Sequence, residues 1–242
     1  MDKHVSCAEL KARAKSQLFG KYGTLIPAML IVEIIMLTLS SLISFPIDTD
    51  SAAGIIIPFG IECVFQLFSA ILLVGQIYMY LNVACGGNIN ISDVFYGFKN
   101  HPDKAILIQL IQLLLMLTCF IPFFICLGLY MSMDSTEILI LLSITFCIGL
   151  IGGTVVFLQY SQSFFIMVDF PEFTAVQCLK FSREVMKGNK ARRFYLEVSF
   201  IPLTLLGILS CCVGLLFLTP YMNATYANFY LELMSFRNRH QQ

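Results

Sequence analysis

Long apolar runs, separated by short polar and mostly basic stretches, set the pattern of this chain. A polar, basic opening of 24 residues leads into an apolar run at 25–45, and others follow at 55–84, 105–131, 138–168 and 194–233. At ~1.5 Å of rise per residue, each is long enough to cross a bilayer core of about 30 Å as a helix. The first run is longer than the apolar part of a signal peptide and reads as an uncleaved span. The last is long enough for two spans if the weak break at 210–214 is a turn.

The pattern predicts an all-α, polytopic membrane protein with about six transmembrane helices, forming a single domain over residues 1–242. Each pair of spans is preceded by a short amphipathic segment. The first begins at Ser6, whose spacing to Glu9 fits a capping box, and puts Cys7, Leu10, Ala14 and Leu18 on one face. The second, 92–98, is brief and aromatic; the third starts near Thr174, gathers Ala175, Cys178, Ser182 and Val185, and stops at Gly188. All three are expected along the inner membrane surface. The recurring order suggests a threefold hairpin repeat with units at 6–85, 90–168 and 174–235.

Charge placement decides the threading. All 15 Lys and Arg fall into four groups, within 3–21, 99–104, 180–193 and 237–239. Short cytoplasmic loops collect such cations. Six spans put every group on the cytoplasmic side with both termini, and leave only acids outside, around Asp48 and Asp50 and around Asp134 and Glu137. Five spans would send Arg237 and Arg239 outward, so six is the reading, with a very short turn near 211–214.

Composition narrows the function. With 58% hydrophobic and 12% charged residues, and a mean hydropathy of +0.81, water is not the main solvent. The 15 acids balance the cations, so no basic field attracts nucleic acid. Nine cysteines contain no C-x-x-C pair and behave mainly as small hydrophobes; adjacent Cys211 and Cys212 are the pair that merits a redox test. His4, His101 and His240 lie far apart, and neither a metal nor a cofactor is expected.

Charges inside spans need partners or protons. Glu33 falls roughly 13 Å from the inner edge and Glu62 roughly 10 Å from the outer edge by helical rise, close enough for an antiparallel pair to bring them within one or two turns. With Gln66, Gln109 and Gln162 they form a candidate intramembrane polar site, and Gln76, Gln112 and Gln159 add further polar groups. One use is a route for a proton, cation or small solute. The favoured alternative is neutral carboxyls in interhelical hydrogen bonds. Lys187, Lys190, Arg192 and Arg193 form a candidate lipid-headgroup anchor at the membrane edge. Gly149 and Gly153 let another helix approach, within the chain or in self-association. Tyr226, Phe229 and Tyr230 read as interface aromatics, and Pro122 and Pro220 as helix kinks.

At SREVMKGNKARRFYLEVSFIPLTLLGIL (182–209), TPYMNATYANFYLEL (219–233) and LKARAKSQLFGKYG (10–23) the chain resembles a Gram-positive bacterial family of polytopic membrane proteins, domain of unknown function 975. After Ser199-Phe200-Ile201 it has Pro202 and Leu203 where that family usually has Gly and Trp. A looser similarity, to the membrane domain attached to some glycerophosphodiester phosphodiesterases, implies a lipid-side role; with no catalytic segment alongside it here, phosphodiesterase activity is not carried over. The expectation is a noncatalytic scaffold, accessory or protective component of the bacterial cytoplasmic membrane, working through membrane lipids, a membrane-protein partner or self-association. The alternative is a small-solute, ion or lipid transporter built on Glu33 and Glu62.

Overall fold

The short helix α1 (Cys7–Leu18) opens the chain in the computed structural model, which describes residues 5–43, 52–133, 135–210 and 212–241. His4, Asp48, Asp50, Asp134 and Cys211 lie outside the described residues. Ser6 caps α1 by accepting from the Glu9 amide at 3.2 Å. The Glu9 carboxylate turns instead to Arg13 at 2.6 Å, so half of the expected capping box forms.

Long helices follow: α2 (Tyr22–Ile43) and α3 (Ala52–Ala84), then a 3-10 turn (Ile91–Phe95) with the one-turn helix α4 (Tyr96–Lys99), then α5 (Pro102–Met133) and α6 (Thr136–Tyr160). A turn at Ser161 and Gln162 separates α6 from α7 (Ser163–Asp169). The chain continues through α8 (Ala175–Val185), α9 (Lys190–Val198), α10 (Ile201–Leu209) and α11 (Val213–Gln241). No strand occurs among the described residues. Four segments, Tyr22–Ser41, Ile57–Ala84, Pro102–Tyr130 and Thr136–Asp169, are long and apolar enough to cross a membrane.

Burial is concentrated at one end of the long helices. Leu10, Ala14 and Leu18 of α1 pack fully buried, with α11 as the main neighbour, and Ala175, Cys178 and Val185 of α8 join the same core. The amphipathic faces expected on the membrane surface are thus turned into protein. Periodicity registers an apolar face without saying what covers it. Ile34, Leu37, Ile125, Ile140 and Ile151, farther along the long helices, remain exposed. Such a contiguous apolar surface is what a hydrocarbon solvent would cover.

The basic residues also serve this end. The Lys21 ammonium donates to the Gly87 carbonyl at 2.9 Å, Lys104 to Pro171 at 2.5 Å and Lys11 to Ser199 at 3.1 Å. These carbonyls follow the C-termini of α3, α7 and α9, where backbone acceptors lack helical partners and the helix dipole favours cations.

Two glycines seat the α4 segment. A Cβ on Gly75 would overlap the Val94 carbonyl, and one on Gly97 would overlap the Ile71 carbonyl, so backbone meets backbone in both directions. Tyr78 and Tyr96 stack beside this contact with centroids 3.9 Å apart. In the α5–α6 hairpin, Gly149 faces the Phe120 ring and Gly153 faces the Met116 sulfur, so the G-x-x-x-G is used within the chain.

The last apolar run departs from the expected pair of continuous spans. Helix α10 ends at Leu209 and α11 begins at Val213, where the sequence suggests a break, with Cys212 at φ +64°. A second break, at Ser199 and Phe200, divides the preceding part into amphipathic α9 and nine-residue α10. Phe200 is fully buried, 5.5 Å from the Tyr221 ring and 4.0 Å from the Lys11 ammonium, which ties the break to tertiary packing.

Candidate functional site

Helix α9 carries its site residue on its apolar face. Arg193 and Leu196, three residues apart on α9, are 4% and 0% exposed, and Phe200 in the break that follows is 0% exposed. The Arg193 guanidinium pairs with Glu197 one turn on, Nη2 to Oε1 at 2.8 Å, and stands 3.5 Å from the centroid of the Tyr226 ring. The Tyr226 hydroxyl donates to the other Glu197 oxygen at 2.5 Å. Arg193 Nε and Nη1 are buried and have no protein acceptor.

Arg193 lines a cavity of about 540 Å³. A stripe along α3 forms one wall, from Phe59 through Glu62, Gln66, Leu73 and Gln76 to Tyr80. Helices α5 and α6 supply further lining, and Asn223 and Tyr226 of α11 stand at the end with Arg193. Of the glutamines, Gln109 Nε2 donates to Gln66 Oε1 at 3.0 Å, and Gln112 Nε2 to the Tyr160 carbonyl at 3.2 Å.

Of the residues singled out from sequence, Glu62, Gln66 and Gln109 line this cavity. Gln162 is fully buried in the α6–α7 turn, donates to Ser161 Oγ at 2.9 Å, and is not a lining residue. Glu33 is exposed on α2 and does not line the cavity either. The basic group divides. Lys187 is exposed, Lys190 donates to Gln159 Oε1 at 2.6 Å, and Arg192 joins Glu232 at 2.9 Å and the Val5 carbonyl at 2.7 Å. Arg193 alone of the four faces the polar cavity. Helical spacing does not single it out, since Arg192 stands four residues before Leu196 and Arg193 three; tertiary packing separates them, Arg192 meeting Glu232 and Arg193 the Tyr226 ring.

Tyr226, Phe229 and Tyr230, expected at a lipid interface, are core residues at 9%, 0% and 0% exposure. The Tyr230 hydroxyl donates to Asp169 at 2.7 Å, fastening α11 to the end of α7. Among the described residues, no group of three or more His, Cys, Asp or Glu is arranged to hold a metal ion.

The profile of the family described as protein of unknown function (DUF975) matches residues 1–237. The chain belongs to the DUF975 family. No curated protein and no solved structure matches it. The chemistry of this DUF975 member therefore rests on its own cavity: a buried guanidinium, amides, the Glu62 carboxyl and apolar walls.

Proposed function

We propose that this DUF975 member is a noncatalytic, multi-pass protein of the bacterial cytoplasmic membrane, a scaffold, accessory or protective component that works by holding lipid or a membrane partner. The carrying observation is the cavity, in which one ion-paired arginine, several amides and the Glu62 carboxyl stand among mainly apolar side chains. Such a lining suits recognition better than bond-making, which needs a nucleophile and base within reach of each other.

In this reading the chain crosses six times with both termini cytoplasmic, and the buried end with its lysines and arginines lies at the cytoplasmic face. Residues 190–209 extend at most ~30 Å by helical rise, enough for the turn at Cys212 to reach the far side. A short helical segment stands before each pair of longer stretches, in keeping with a threefold hairpin unit.

Reconstitution tests the reading. Purified protein in proteoliposomes should carry no pH-driven solute flux, and isolation in mild detergent should recover bound lipid or a partner. Flux abolished by Glu62→Gln, at an unchanged amount of folded protein, would instead establish the transport reading. Glu62, Gln66 and Gln109 on one cavity wall favour that alternative, and the separate setting of Glu33 weakens its two-carboxylate form.

A further inference from the structure

The cavity is a slot. Its α3 wall runs from Phe59 to Tyr80, ~31 Å at helical rise, so a volume of about 540 Å³ is spread thinly along the helix. A compact solute would not fill such a shape, but one hydrocarbon chain would. Apolar residues including Leu73, Leu113 and Leu117 line it. Among the amides beside them, Gln109 bonds to Gln66 and Gln112 to the Tyr160 carbonyl.

The Arg193 end differs. Glu197 takes Nη2, while Nε and Nη1 are buried without an acceptor. Unpaired charged donors in a buried site are costly, and a guanidinium is best satisfied by the oxygens of a phosphate or carboxylate. Glu62 stands toward the other end of the slot, ~27 Å from Tyr80 by helical rise, too far to supply that oxygen.

We propose that the slot binds one anionic amphiphile, its oxyanion head on the Arg193 guanidinium and its hydrocarbon along the apolar walls of α3 and α5. This rests on the noncatalytic, lipid-holding reading and names the ligand class. The ligand enters the slot, unlike a headgroup adsorbed on exposed lysines.

The test uses full-length protein in uncharged detergent and three probes: a lysophosphatidylglycerol, a monoacylglycerol with the same chain, and inorganic phosphate. Native mass spectrometry should show a single lysophosphatidylglycerol adduct, bound at least tenfold more tightly than the neutral lipid, and Arg193→Gln should erase that preference. Inorganic phosphate should not raise the unfolding temperature as the lipid does. Leu113→Trp, which keeps Arg193 and fills the slot, should lose the adduct, and decides the matter if Arg193→Gln fails to fold. Equal affinity for charged and neutral lipid, a preference that survives Arg193→Gln, or an adduct that survives Leu113→Trp would overturn the proposal. Equal protection by inorganic phosphate would also overturn it and reassign the site to a free anion. None of these results bears on transport; flux in proteoliposomes would overturn the noncatalytic reading whichever lipid binds.

Discussion

Arg193 shows how much one residue's setting depends on what packs against it. Its side chain lies 5% exposed against 27% for Glu197, so the ion pair is far more enclosed than a surface bridge. Glu197→Ala leaves the guanidinium buried without its counter-charge and should destabilise the protein by about 3–5 kcal/mol. Tyr226→Phe removes only the hydroxyl donor to Glu197 and should cost about 1–3 kcal/mol. Thermal unfolding of each variant in the same detergent checks the order. In the sequence, Arg193 is one of four neighbouring cations, and its separate role was not legible there, because the Tyr226 ring of distant α11 helps to set it.

Cys178 gives a second residue-scale expectation. Burial in α8 pushes its thiol up to about 11 from the ordinary 9.0. The folded state keeps a proton that the unfolded chain releases, so this group's contribution to stability is complete below pH 9 and declines as pH rises from 9 toward 11. At pH 8 Cys178 should resist alkylation in the native protein and react on unfolding, whereas exposed Cys85 should react in both states. Mass-spectrometric mapping of the modified thiols checks this.

At the scale of elements, caps and glycines gave the strongest local signals. Helix α8 begins after Thr174, whose hydroxyl accepts from the Gln177 amide at 3.3 Å while its own amide donates to Gln177 Oε1 at 2.8 Å, and the chain turns at Gly188 with φ +85°. Those boundaries were readable because they depend on neighbours a few residues away. The break between α9 and α10 left one sequence signal, Pro202 in the first turn of α10, which the almost unbroken apolar run at 194–209 obscures, and the turn is held by Phe200 docking on α11. Nor could composition show that α4 rests on α3 through Gly75 and Gly97, since contact across the fold gives each glycine its meaning. Gly75→Ala and Gly97→Ala should each cost about 1–3 kcal/mol through forced backbone displacement. Gly128→Ala, where the added methyl meets nothing, should leave stability unchanged or slightly raised. Unfolding temperatures of the three variants make the comparison.

For the whole molecule, hydropathy made the helical class and the apolar segments legible, because length and solvent preference are properties of the chain itself. The assembly of α1, α8, α9 and the ends of α3 and α11 into one buried body was not legible, since an amphipathic face reads alike whether lipid or protein covers it. In this account that body sits at the cytoplasmic side, with the α10–α11 turn opposite. The direct measurement is labelling by a membrane-impermeant thiol reagent in intact cells, using a cysteine-free background that retains either Cys212 or a single Lys187→Cys. Six spans predict that Cys212 reacts from outside and that the cysteine at 187 reacts only after permeabilisation. Labelling of both positions from the same side would contradict that threading and put the turn and the buried body on one face of the membrane.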